Sequence, residues 1–142
     1  MRKILLPTLL LLASAPALAA PNIQGNWLTD DGKGVIRIGP CGRQMCGWLA
    51  RVLDRGPNVP THDVNNPEAR LRSRALVGLP ILTGFSPAAD SWTGGQAYDP
   101  KSGRSYRTTL SLNADGSLNV RGCVMVNSPR AYHPIASSGR CG

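Results

Sequence analysis

Ser105-Tyr106-Arg107-Thr108-Thr109-Leu110-Ser111-Leu112, then Asn113-Ala114-Asp115-Gly116, then Leu118-Asn119-Val120, is the stretch on which the fold turns. Residues alternate along a strand from one face to the other. Tyr106, Thr108, Leu110 and Leu112 therefore share one face, and Ser105, Arg107, Thr109 and Ser111 the opposite one. Asn113–Gly116 carries hairpin-turn chemistry, so the run Leu118–Val126 is expected to return as the antiparallel partner. One apolar and one polar face describe a sheet with a core on one side only.

The same grammar recurs upstream. Gly25–Thr29 reads as a short strand, Asp30–Gly34 as a turn, and Val35–Ile38 as a strand with Ile36 and Ile38 on one face and Arg37 on the other. Trp48–Leu53 is a third strand, which makes the first three a meander. Trp92–Tyr98 leads into the turn Asp99–Gly103. Pro80 within the apolar run Leu76–Phe85 argues for an edge or a bulge there. Residues 54–74 break the pattern, with Pro57, Pro60, Pro67, Arg70, Arg72 and Arg74. Asn66-Pro67 can cap and open one helical turn with Glu68 inside it. About eight short strands with even turn spacing predict an all-β chain, a small antiparallel β-barrel or sandwich, with one long loop or short helical turn near 54–74.

Composition agrees. A chain that is 42% hydrophobic is too apolar for disorder, and Glu68 as its single glutamate excludes a charge-laced coiled coil. With 16 Gly and 12 Pro, long helices are interrupted everywhere. At the N-terminus, Arg2 and Lys3, the apolar run Ile4–Leu12, and Ala17 and Ala19 have the form of a signal peptide cleaved after Ala19. The run is short of the ~20 apolar residues that span a bilayer, so no stable membrane span is expected. The expected mature chain, residues 20–142, is one domain, periplasmic or secreted. It loses two of the positive charges that make up the formal +8.

Four cysteines in an exported chain read as disulfides, with three pairings open in principle. Cys41 and Cys46 bracket a turn-like insert, and strands paired at a hairpin neck bring Cα atoms within ~5.5 Å, so they are expected to pair. Cys123 and Cys141 are the remainder. The C-x4-C spacing does not match the paired knuckles of a structural zinc site, and no metal or other cofactor is expected.

Several stretches together resemble the uncharacterised bacterial family called domain of unknown function 2147. They are Gly25–Thr29, Ile38–Cys41 with Cys46-Gly47, Asp63–Pro67, Leu71–Arg74, Gly78–Phe85, Trp92–Gly95, Tyr98–Pro100 with Gly103–Tyr106, and Leu118–Gly122. The resemblance runs from about residue 25 to 124 and implies a small exported barrel of lipocalin or calycin type. It brings no catalytic residue with it. Residues 125–142, with Pro129 and Pro134, depart from the closing strand usual in that family.

The chemistry on offer is sparse. No Ser lies in a nucleophile elbow, and Asp30, Asp31, Asp99 and Asp115 sit in turns where Asp belongs for backbone reasons. His62 beside Asp63 is the one candidate acid–base pair; His133 is the only other histidine. Arg70, Arg72 and Arg74, spaced by two in an extended segment, would share one face and grip a carboxylate or phosphate, with Asp63 and Asn66 joining Arg72 in a polar cluster. Nucleic acid is a poor partner for an exported chain whose aromatics do not interleave with its basic residues. Trp27, Trp48 and Trp92 are expected to pack a small core. Three functions follow: a non-enzymatic binding module for a small apolar or anionic envelope ligand, contacted by Asp63, Asn66, Arg70, Arg72 and Arg74; an envelope enzyme centred on His62 and Asp63; or a structural envelope protein without a ligand.

Overall fold

A computed structural model describes residues 19–123. The leader segment 1–18, the strand continuation beyond Cys123, His133, Cys141 and the divergent tail lie outside the described residues, and with them the Cys123–Cys141 pairing. Seven strands follow one another: β1 (Gly25–Leu28), β2 (Gly34–Cys41), β3 (Gln44–Val52), β4 (Pro80–Pro87), β5 (Trp92–Asp99), β6 (Arg104–Leu112) and β7 (Leu118–Cys123). They form one antiparallel sheet in the order β1-β2-β3-β4-β5-β6-β7, a meander curled into a half-barrel. The only helix among the described residues is one turn of 3-10 helix at Ala69–Leu71, and no helix among them is long and apolar enough to cross a membrane.

The deciding hairpin forms, with Leu110 opposite Val120 and Leu112 opposite Leu118. Thr108 and Leu110 are buried, as the alternation requires. The concave face collects Ile36, Ile38, Met45, Leu49, Leu82, Phe85, Ala97 and Leu110 into one core. Two glycines let Phe85 and Leu82 reach it. A Cβ on Gly95 would stand 2.5 Å from the Phe85 ring, and one on Gly47 would stand 2.8 Å from a Leu82 methyl.

β4 lies inside the sheet, not at its edge. Its prolines stand at its two ends, and its pairing with β3 is irregular between Met45 and Trp48, so the bulge half of the proline expectation is what occurs. Cys41 and Cys46 are joined at the neck of the β2–β3 hairpin, Cα atoms 5.8 Å apart. Their loop is short, so the bond restrains little chain entropy. Cys41→Ser with Cys46→Ser should cost about 2 kcal/mol, the low end for disulfides, in denaturant unfolding of oxidised protein.

The helical turn starts later than the sequence suggests. Asn66 does not cap it. Its Oδ1 accepts the Glu68 N–H at 2.9 Å, a local turn, and Glu68 then precedes the 3-10 turn without a side-chain cap.

Candidate functional site

The excursion between β3 and β4 is a small structure of its own. Thr61–Asp63 and Arg74–Leu76 run antiparallel: the Leu76 N–H donates to Thr61 O at 3.0 Å, and the Asp63 N–H to Arg74 O at 2.9 Å. The tip of this ladder folds back through the Asn66 turn and the 3-10 turn. That turn overturns the expectation of an extended segment with three arginines on one face. Arg70 leaves the group altogether and pairs with Glu68 at 2.6 Å in solvent.

Asp63, Asn66 and Arg72, expected together, are joined here by Arg74, which was expected beside Arg70 and Arg72 instead. Asp63 is fully buried. Its Oδ1 accepts the Tyr98 hydroxyl at 2.6 Å. Its Oδ2 accepts Asn66 Nδ2 at 2.8 Å and Arg74 Nη2 at 2.9 Å. Arg72 Nε donates to the Asn66 carbonyl at 2.7 Å. A buried carboxylate is costly unless it is paired and hydrogen-bonded, and three side-chain donors from three separate stretches meet that need. The cluster fastens the ladder to the end of β5, where Tyr98 projects from the face opposite Ala97. The turn after β5 is fastened too: Asn65 Nδ2 donates to the Lys101 carbonyl at 3.0 Å. Gly103, at φ 69°, is required here, since a Cβ would fall 2.0 Å from Asn65 O.

Ionisation follows from this geometry. Burial pushes the Asp63 carboxyl up, but the bonds from Tyr98, Arg74 and Asn66 outweigh it and hold it below the ordinary value. Burial, and then the Asp63 carboxylate it donates to, push Tyr98 up to about 12 from the usual 10.0. A phenol whose folded value is raised contributes stability that is complete below about pH 10 and is lost as pH rises through 12. Alkaline melts should therefore show a loss between these values that Tyr98→Phe lacks. Asp63 works in the opposite sense: its contribution is complete above 3.8 and goes only as pH falls through its lower folded value.

Among the described residues, His62 and Asp63 do not meet as a pair. His62 is exposed and its Nδ1 meets Thr61 Oγ1 at 2.9 Å, while Asp63 already accepts three side-chain donors. No group of three potential metal-ligating side chains occurs among the described residues.

Beside the ladder lies a cleft of about 390 Å³, with Val52, Val59, Pro60, Ala75, Leu76 and Val77 as its apolar lining and Asp54 and Thr61 at its polar side. The Asp63 cluster stands directly behind it in sequence, since Thr61, Ala75 and Leu76 belong to the ladder the cluster holds. Asp54 is paired with Lys33 at 3.1 Å, which places a cation at the cleft. Neither the cleft nor Tyr98 was singled out from the sequence as a site. The available signal was the apolar pair Val59-Pro60 and the run Ala75–Val77 inside an otherwise polar excursion.

A family model described as "Uncharacterized protein conserved in bacteria (DUF2147)" matches residues 25–129. No curated protein matches. A solved structure, protein HP1028 of Helicobacter pylori, described as belonging to the lipocalin family, is similar with a TM-score of 0.56 and 21% identity. The similarity covers 63% of this chain and 60% of that one, so it speaks for the curled-sheet fold.

Proposed function

The chain belongs to the domain of unknown function 2147 family, and on that premise we propose that it is an exported, non-enzymatic binding module for a small apolar ligand with an anionic group. The observation that carries this reading is the apolar cleft of about 390 Å³ at the root of the excursion that the Asp63 cluster fastens. Ligand sites are typically clefts of ~300–1,000 Å³ with apolar walls and a few placed polar groups. The apolar part of the ligand lies against Val52, Leu76 and Val77. Its anionic group meets Lys33, which pairs with the cleft residue Asp54. Arg74 serves Asp63 and holds the wall. The leader-like N-terminus and the Cys41–Cys46 bond support export to an oxidising compartment, the periplasm.

Titration with 8-anilinonaphthalene-1-sulfonate, an apolar anion whose fluorescence rises on burial, tests the site. Val77 is 57% exposed, so Val77→Glu leaves the fold intact. It removes apolar contact worth roughly 1.5 kcal/mol and should weaken binding about tenfold. Saturable binding that Val77→Glu weakens is the expected result. Absence of saturable binding to the wild type, or equal binding by the variant, contradicts the assignment.

A further inference from the structure

Three tryptophans are expected in the core, and one of them is elsewhere. Trp27 and Trp92 pack against the buried cluster. Their indole N–H groups donate to backbone carbonyls, Ile23 O at 2.9 Å and Pro21 O at 2.8 Å. Trp48 does neither among the described residues. It stands opposite Arg37 in the β2–β3 ladder. Alternation from the core residues Ile36, Ile38 and Leu49 puts both on the convex face. The ring lies alongside Gly39, whose Cβ would stand 3.9 Å from it, and the Arg37 guanidinium stacks 5.5 Å from its centre.

The next row of the same face is Leu28, Val35 and Arg51, each opposite the next across β1, β2 and β3. Leu28 is 64% exposed, and Arg37 and Arg51 are exposed as well. Neither arginine has an ion pair among the described residues. The distribution of charge along the chain explains why. The seven strands hold five arginines, Arg37, Arg51, Arg104, Arg107 and Arg121, against one carboxylate, Asp99 at the end of β5. The other acids lie in the connections, where Asp31, Asp54, Asp63 and Glu68 pair with cations that also belong to connections. The convex face therefore keeps its positive charge.

We propose that the convex face of β1–β3 docks on an anionic phospholipid surface through Leu28, Arg37, Trp48 and Arg51. Guanidinium groups bind phosphate, and a stacked one keeps its N–H edge free to do so. An acidic polysaccharide or protein would need the arginines alone. The exposed leucine and the indole beside them suit a bilayer interface, where amphipathic rings settle at headgroup level and apolar side chains reach the acyl boundary. None of the four lines the Val52–Val77 cleft, so this docking and the cleft's ligand stand or fall separately.

Co-sedimentation of the full chain with vesicles tests the face. The chain should pellet with phosphatidylcholine vesicles that contain phosphatidylglycerol and stay in solution with phosphatidylcholine alone. Arg37→Gln with Arg51→Gln should lower the partition coefficient roughly 30-fold, since each arginine near such a surface contributes about a fivefold factor. Arg107→Gln with Arg121→Gln removes the same charge from the convex face of β6 and β7. That pair stands about 14 Å or more along the sheet from Trp48, outside the ~10 Å screening length at 0.1 M salt, so its loss should change binding little. Leu28→Asn keeps the charge and should weaken binding several-fold. All five substituted side chains are exposed, so the variants should melt as the wild type does. Equal losses from the two arginine pairs would reduce the effect to net charge, and binding undiminished by Leu28→Asn would make the face a general anion surface. Either result, like absence of binding to the anionic vesicles, would overturn the proposal.

Discussion

Asp63→Ala is expected to destabilise the protein by about 3–5 kcal/mol, the cost of breaking a buried charged pair by removing one partner. The mechanism is the stranding of the donors. The Tyr98 hydroxyl, Asn66 Nδ2 and Arg74 Nη2 all point at the missing carboxylate. Arg74 is 36% exposed and recovers part of its hydration, which places the loss toward the lower end of that range. Tyr98→Phe removes the hydroxyl's bond to Asp63 and the longer one it accepts from Asn66 but keeps the charge pair, so it should cost about 1–2 kcal/mol. Urea unfolding of the two variants measures the ratio. The same ladder forms a wall of the cleft, so Asp63→Ala should also abolish dye binding under conditions where the variant is still folded. Equal, small losses for both substitutions would show that the carboxylate does not organise the excursion.

Phe85→Ala is expected to cost about 3–5 kcal/mol, the range for a fully buried aromatic. Its partner measurement is more discriminating. In the wild type, Gly95→Ala forces a Cβ to 2.5 Å from the Phe85 ring and should cost about 1–3 kcal/mol through overpacking. In the Phe85→Ala background the ring is gone, and Gly95→Ala should cost little or nothing. Thermal melts of the four proteins close this double-mutant cycle, and a strong favourable coupling is the predicted outcome. Additive losses would mean that the ring does not lie over Gly95.

The sheet was legible because its signals are local. Alternation in Ser105–Leu112, turn residues at Asn113–Gly116 and the cysteine-bracketed turn after β2 each act over a few residues, and each forms where read. The grouping of Asp63 and Asn66 with Arg72 was legible because all three lie close together on one irregular excursion; the Arg74–Asp63 pair was not part of it. The order within the excursion was not legible either. Whether Arg70 faces in or out depends on whether residues 69–71 are extended or turned. That choice is made by the packing of the ladder, not by the intrinsic preference of Ala-Arg-Leu. Tyr98, which completes the Asp63 cluster, is 35 positions away. Its alternation places it away from Ala97, and nothing local says that the excursion covers that face. The reach of Trp92 back to Pro21, 71 positions apart, was hidden for the same reason. A tryptophan in a strand reads as core, and the carbonyl its N–H finds is set by how far the sheet curls.

The acidic turn residues illustrate the converse. Asp31, Asp99 and Asp115 do what turn chemistry asks of them, accepting the N–H groups of Lys33, Lys101 and Ser117. Lys101 also reaches Asp31 across two turns at 2.5 Å. Both side chains are well exposed, and exposed pairs contribute ~0–1 kcal/mol, so this tie adds little to the fold.

A ligand-binding module exported to the periplasm should carry its ligand through purification from that compartment, where native mass spectrometry can weigh it. The expected spectrum shows a mature chain beginning at Ala20, with Cys41 and Cys46 oxidised, accompanied by a second population carrying the added mass of a small molecule. Val77→Glu should remove that population. A single bare mass in the wild type, unchanged after incubation with extracts of envelope lipids, would contradict the binding function.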